Sequence, residues 1–288
     1  MAKPRLGQHF LRDRRYLAPI LAAADLTPSD GVIEVGPGKG ALTRELVRRA
    51  GRVLALEVDP RYADGLHARL GHAGNLEVRL QDARRIDWSR TVDEVRAAGV
   101  RTVKLVANLP YYLATQMVIH ALSAPGALSR LVVMVQDEVA RRMCAEPGSR
   151  TYSAYTVAVR YYGVPDYVVK VPPAAFAPPP RVASAVVRIE RRDAPPVRVP
   201  DPGVFFLLVQ AMFTHRRKTL RRCLQGLRGM PAQPAWEAAL HAAGLDGGRR
   251  PETLSLEELA RLVRAVEPPG GARTILTKGK EPRDGRGG

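Results

Sequence analysis

A chain of 288 residues, 45% hydrophobic and 25% charged, can bury one large core or a core with a smaller companion, which excludes a mini-protein scaffold and wholesale disorder. Two cysteines, Cys144 and Cys223, and six unclustered histidines exclude a disulfide framework and a four-cysteine zinc site, so no metal is expected. A net charge of +17, from 45 Lys and Arg against 28 Asp and Glu, points to a polyanionic partner.

The first eleven residues carry Lys3, Arg5 and His9 without an apolar signal core, and no run is long enough to span a membrane. A soluble, cytoplasmic protein without a membrane partner is therefore expected. From residue 32 to 136, short apolar runs alternate with helical patterns: 32–35, 52–56, 76–80, 103–106 and 131–135 read as strands. Segments such as 41–50 and 61–70 read as crossover helices, and that alternation implies a mostly parallel sheet of the α/β class. After a polar break at 146–151, the runs 157–162, 167–171 and 185–189 are apolar enough to finish the sheet, around a proline-rich connection at 172–180. Pro195, Pro196, Pro200 and Pro202 mark a linker. Amphipathic helices are predicted at 204–213, 217–224, 235–243 and 255–266, the last opened by Ser255 with Glu257 and Glu258 in its first turn. From 268 onward the chain is Gly, Pro and charge, as in a flexible basic tail. Residues 181–288 hold 20 of the basic side chains against 11 acidic, so positive charge is denser there.

Chemistry concentrates at the strand ends. Gly36-Pro37-Gly38-Lys39-Gly40 follows the first predicted strand, where glycines let backbone approach a ligand in the crevice of an open parallel sheet. Glu57 ends the second strand, 21 residues after Gly36, placed to accept hydrogen bonds from both hydroxyls of a ribose. Asp82 follows the third and suits an adenine amino group, although Asp at a strand end also serves as a cap. These three ends fit a nucleoside cofactor without separating NAD from S-adenosylmethionine. The fourth end, Asn108-Leu109-Pro110-Tyr111, separates them. The Asn108 side-chain oxygen and the Leu109 carbonyl can each accept one hydrogen of an adenine amine, so that its lone pair leaves ring conjugation and aims at an electrophilic methyl group. Pro110 restrains Leu109 to an extended conformation. Tyr111 offers a face on which a flipped-out base can stack.

These motifs, with Leu6-Gly7-Gln8-His9-Phe10-Leu11, Phe176-Ala177-Pro178-Pro179-Pro180-Arg181, Arg216-Arg217-Lys218-Thr219 and Arg250-Pro251-Glu252-Thr253, resemble the ribosomal RNA adenine dimethyltransferases, specifically the KsgA type acting on small-subunit rRNA. The resemblance runs from about residue 5 to 266. It implies a Rossmann-like class I methyltransferase domain with a small C-terminal all-helical domain, S-adenosyl-L-methionine as methyl donor, and N6 dimethylation of two adjacent adenosines near the 3′ end of 16S rRNA in the small subunit or its precursor. The implied organisation is an arm (1–12), a methyltransferase domain (13–192), an RNA-contacting helical domain (193–267) and a tail (268–288), acting as a monomer. Carried over by position, His9, Leu11, Gly36, Gly38, Glu57, Asp82 and Asn108 are cofactor contacts, and Asn108, Leu109, Pro110 and Tyr111 form the catalytic loop. Tyr111 and Phe176 are the aromatic walls of the base pocket, and Arg216, Arg217, Lys218, Arg221 and Arg222 form an RNA-facing helix.

This chain departs from the family pattern at His9, where Asn is usual, at Asp137, where Lys or Arg is common, and across Tyr152-Ser153-Ala154-Tyr155-Thr156. Three alternatives share parts of the pattern. They are a macrolide-resistance methyltransferase of large-subunit rRNA, a non-catalytic nucleic-acid-binding factor on the same fold, and an NAD-dependent oxidoreductase, which the short glycine spacing disfavours.

Overall fold

In the computed structural model, which describes residues 9–126, 128–215, 217–225 and 233–266, the contacts divide the chain into two units. The first takes residues up to Cys144 and Tyr162–Ala194; the second takes Ala145–Tyr161 and the chain from Pro195. In chain order the first half comprises β1 (Phe10–Leu11), α1 (Leu17–Ala24), β2 (Asp30–Val35), α2 (Thr43–Val47), β3 (Arg52–Glu57), α3 (Pro60–Leu70), β4 (Leu76–Leu80), α4 (Trp88–Arg96), β5 (Thr102–Asn108) and α5 (Tyr111–Ser123). Then come β6 (Arg130–Gln136), α6 (Asp137–Met143), α7 (Ala154–Tyr162), β7 (Gly163–Val171), β8 (Phe176–Ala177), β9 (Ser184–Arg191), α8 (Pro202–Thr214), α9 (Leu220–Gln225), α10 (Gln233–Ala242) and α11 (Leu256–Val266).

Among the described residues the first unit holds a seven-stranded sheet of order β4-β3-β2-β5-β6-β9-β7. Its five parallel strands are those read from the sequence; β9 runs antiparallel to both β6 and β7. β2 is buried along its whole length, the mark of a strand covered on both faces. The chain winds outward from β2 through β3 to β4, then restarts at β5 on the other side, so the switch point lies between β2 and β5, with Gly36 and Asn108 at their carboxyl ends. Pro165 is tolerated because β7 is an edge strand. Asp59 caps α3 by accepting from the Arg61 N–H, with Pro60 at the first helical position. At the opposite end of the sheet, the last carbonyls of α1 are satisfied by side chains. Lys104 Nζ donates to the Ala24 and Asp25 carbonyls at 3.1 and 2.6 Å, and Arg130 to those of Ala23 and Ala24. The buried ammonium is paired with Asp30 at 3.1 Å.

The structure corrects several elements. Residues 157–162, read as a strand, are helical in α7. A short apolar run does not fix its own period, and the Ser153 and Thr156 hydroxyls bond each other and the nearby N–H groups, starting a helix there. The proline-rich connection contains β8, which pairs with the arm strand β1, Phe10 opposite Ala177 and Leu11 opposite Phe176. The helix expected at 217–224 begins only at Leu220. In the second unit, Asp201 caps α8, Tyr161 stacks on Phe205 at 5.6 Å, and Tyr152 lies 5.9 Å from Phe213. Tyr152 is fully buried and its phenol is pushed up to about 12 by that burial. Ser255 and Glu258 form a reciprocal capping box: the Glu258 N–H donates to Ser255 Oγ and the Ser255 N–H to the Glu258 carboxylate. No helix among the described residues is long and apolar enough to cross a membrane.

Candidate active site

The carboxyl ends of β2, β3, β4 and β5 converge on one cavity, whose walls include Gly36, Gly38, Glu57, Asp82, Asn108 and Tyr111. Gly36 and Gly38 both adopt positive φ, at 68° and 53°. A Cβ on Gly38 would come within 2.6 Å of the Phe10 ring, so the arm packs on bare backbone. Glu57 is 2% exposed, and backbone donors hold it: Gly38 N–H on Oε2 at 3.1 Å, Val58 and Asp59 N–H on Oε1 at 2.8 and 3.0 Å. The carboxylate therefore fixes the glycine turn and still has lone pairs for a ligand. Asp82 caps the turn that follows it, accepting from the Arg84 N–H at 3.0 Å, and pairs with the Arg84 guanidinium at 2.5 Å. Those bonds hold its carboxyl below the usual carboxylate range.

The Asn108 loop is set from both sides. The Leu109 N–H donates to the Met134 carbonyl at 3.1 Å, and the Pro110 carbonyl takes the first helical bonds of α5, from Leu113 and Ala114 N–H. The Leu109 carbonyl thus stands outside the helical ladder. The Asn108 side-chain amide donates to the His9 carbonyl at 3.2 Å, which assigns the remaining oxygen as the acceptor end. Tyr111 Oη shares a 2.7 Å hydrogen bond with Ser184 Oγ, and burial pushes its phenol up against that bond. The His9 imidazole stacks over Tyr111.

An adjoining cavity shares Phe10, Gly36 and Asn108 with the first and is lined by Leu11, Glu34 and Lys39. Leu11 belongs to this second space. Glu34 is buried with its Oε2 unpartnered, and burial raises its carboxyl to about 8, with Glu57 acting in the same direction and the Thr43 hydroxyl opposing. Phe176 is not among the residues of either cavity wall; it is 3% exposed and belongs to the core cluster of Leu17, Ile20 and Val171. Sequence reasoning gave no role to Glu34, although a charged residue between the apolar Val32, Ile33 and Val35 was a visible signal, and it assigned none to Ser184. Among the described residues, no group of three or more His, Cys, Asp or Glu could hold a metal ion.

Asp137 does not present a bare negative charge: it accepts from Tyr167 Oη at 2.5 Å and pairs with Arg141 at 3.0 Å. In the second unit, Arg216 lies outside the described residues. Arg217 and Lys218 are exposed in the turn before α9, Arg222 is exposed on α9, and Arg221 is engaged by Glu237 at 2.8 Å. From Arg217 onward the basic run is therefore a turn and a short helix rather than one continuous helix.

Strand order and site together define a Rossmann-like class I methyltransferase. The family model described as "Ribosomal RNA adenine dimethylase" matches residues 1–264, and the chain belongs to that family. It is 44% identical over 270 residues to "Ribosomal RNA small subunit methyltransferase A" of Pelotomaculum thermopropionicum, covering 92% of each chain. It is 42% identical to the protein of the same name from Moorella thermoacetica, covering 91% of each. Among solved structures, the 23S rRNA methyltransferase ErmE is similar at a TM-score of 0.69 and 30% identity, over 89% of this chain and 99% of that one. A dimethyladenosine transferase from Plasmodium falciparum shares the fold at a TM-score of 0.72 and 23% identity, over 88% of this chain and 96% of that one.

Proposed function

We propose that this enzyme dimethylates the N6 amines of two adjacent adenosines near the 3′ end of 16S rRNA, within the small ribosomal subunit or its precursor, using S-adenosylmethionine. The observation that carries the reading is the Asn108 carboxamide, oriented by the His9 carbonyl at the switch point, with Gly36, Glu57 and Asp82 on the same cavity wall. The residues present fit the cofactor. Bare glycine backbone and Glu57 suit the ribose, and Asp82 suits the adenine amine. The unpartnered Glu34 Oε2 and Lys39 suit the ammonium and carboxylate of its amino-acid end. When bound, the cofactor supplies an electrophilic methyl group on a sulfonium.

Asn108 Oδ1 and the Leu109 carbonyl each accept one hydrogen of the target amine and aim its lone pair. Tyr111 holds the base by stacking, worth about 1–3 kcal/mol against an unstacking cost of a few kcal/mol, so phosphate contacts elsewhere must complete the balance. Arg217, Lys218 and Arg222 in the second unit are exposed and suited to that role. The amine proton turns acidic only as the new bond forms, so it departs to solvent and no general base is assigned. The relatives bearing the small-subunit name favour this substrate over large-subunit rRNA. Transfer of labelled methyl groups to unmodified small-subunit particles, followed by nucleoside mass analysis, tests it. Dimethyladenosine should form there and not on large-subunit particles; label on the large subunit alone would reverse the assignment.

A further inference from the structure

Ser184 opens β9, and the direction of that strand brings it to the site. The catalytic loop stands at the carboxyl end of β5. β6 runs parallel to β5, whereas β9 runs antiparallel to β6. The first residue of β9 is therefore level with the last of β6: Ser184 lies opposite Gln136, and on its other flank opposite Val171, the last residue of β7. The Asp137 N–H donates to the Ala183 carbonyl at 2.9 Å, which ties the same point to the start of α6. With its backbone paired on both sides and its side chain wholly buried, Ser184 has one torsion left to place its hydroxyl. That hydroxyl meets Tyr111 Oη at 2.7 Å, from 73 positions further along the chain. Tyr111 is held at its other end by the first turn of α5, whose opening bonds run from the Leu113 and Ala114 N–H groups to the Pro110 carbonyl.

We propose that Ser184 is a positioning residue for methyl transfer: its hydroxyl fixes the long axis of the Tyr111 ring, so that the stacking face beside the Asn108 loop is in place before the base arrives. The proposal rests on the reading of Tyr111 as the base platform and adds what holds that platform still. A tyrosine fastened only at its Cα samples several χ1 rotamers. Ordering such a side chain at the moment of binding lowers the productive population by about 2- to 10-fold. Fastened at both ends, Tyr111 is ordered when the chain folds, and base extrusion no longer carries that cost. Burial keeps the phenol protonated and its oxygen is bonded to Ser184, so Tyr111 meets the base with its ring face, a contact that every base can make. Selection of adenine falls to the Asn108 and Leu109 acceptors. The antiparallel strand thus contributes to the site through one hydroxyl, although it carries no part of the loop that touches the reacting amine.

The experiment is steady-state methyl transfer to unmodified small-subunit particles, with thermal unfolding measured in parallel, for Ser184→Ala, Tyr111→Phe, the double variant and Tyr111→Ala. Tyr111→Phe keeps the stacking face and loses only the anchored oxygen; Ser184→Ala keeps the phenol and loses its anchor. Each should lower kcat by about 2- to 10-fold. KM for the particles should hold, because phosphate contacts elsewhere carry particle affinity. The double variant should be no slower than either single one, since both changes remove the same bond. A role of Ser184 in folding β9 would instead cost as much in the Tyr111→Phe background as in wild type. Tyr111→Phe also leaves the Ser184 hydroxyl buried without its partner, so its unfolding temperature should drop and then recover in the double variant, while turnover does not recover. Wild-type kcat in Ser184→Ala or in Tyr111→Phe, or an undiminished loss from Ser184→Ala in the Tyr111→Phe background, overturns the proposal. Wild-type turnover in Tyr111→Ala would instead remove the platform on which the proposal rests, so the two failures are told apart.

Discussion

The side-chain amide of Asn108 donates to the backbone carbonyl of His9 at 3.2 Å, so the amino-terminal arm decides which end of that carboxamide accepts. Asn108→Ala removes a preorganised acceptor and should slow methyl transfer by about 10²- to 10³-fold, by analogy with loss of one oxyanion-hole donor. Asn108→Asp should fare no better, because a carboxylate cannot donate to His9 and would turn away from it. Single-turnover rates with saturating cofactor check both, and near-normal rates in either variant would remove Asn108 from the mechanism.

Glu57 links the end of β3 to the glycine turn, since its carboxylate accepts the Gly38 N–H as well as those of Val58 and Asp59. Glu57→Ala should therefore cost twice. Cofactor affinity should fall by about 10- to 100-fold from lost charge-assisted hydrogen bonds, and stability should drop by about 1–3 kcal/mol as buried donors lose their acceptor. Calorimetric titration with S-adenosylmethionine and thermal unfolding read the two effects separately. Weakened binding with unchanged stability would mean that the N–H groups find water instead.

Much of this site could be read from the sequence because the strand runs themselves could be read: Gly36, Glu57, Asp82 and Asn108 stand at or just past the ends of four successive ones. What could not be read lay in contacts distant along the chain. Leu11 meets Phe176 and His9 meets Pro178 only because a two-residue strand pairs across the proline-rich connection, and so short a strand has no periodicity to detect. Residues 157–162 misled for a different reason. Val157, Val159 and Tyr161 alternate as a strand would, but the hydroxyl cap at Ser153 and Thr156 determines the local backbone. Asp137 illustrates the limit for charge: the sequence shows the carboxylate, and only the fold shows Arg141 pairing with it and the Tyr167 hydroxyl donating to it.

In the second unit, Arg217 is exposed in the turn before α9, whereas Arg221 is already paired with Glu237. Arg217→Ala should weaken binding to small-subunit particles and reduce the slope of log K against log salt by about 0.7–0.9 for one lost phosphate contact. Arg221→Ala should change that slope less, because its charge is partly spent within the protein. Cofactor affinity should not move in either case. Equal slopes for wild type and Arg217→Ala would place the RNA contact elsewhere.

Glu34 makes stability depend on pH in the unusual direction for a carboxyl. Burial raises it from 4.5 to about 8, so between those values the folded chain holds a proton that the unfolded chain releases. Its contribution is fully present below 4.5 and is lost as pH climbs through about 8, where the buried group must ionise. Glu34→Gln keeps the shape and cannot ionise. The variant should therefore gain on wild type steadily as pH rises from about 5 to about 8 and hold a constant advantage beyond it. Urea midpoints measured across that range for both proteins provide the check. A bound cofactor whose ammonium meets Glu34 would favour the ionised form, so S-adenosylmethionine should flatten the wild-type curve and leave that of Glu34→Gln unchanged in shape. Parallel curves for the two proteins without cofactor would show that Glu34 is ionised in the fold across the whole range.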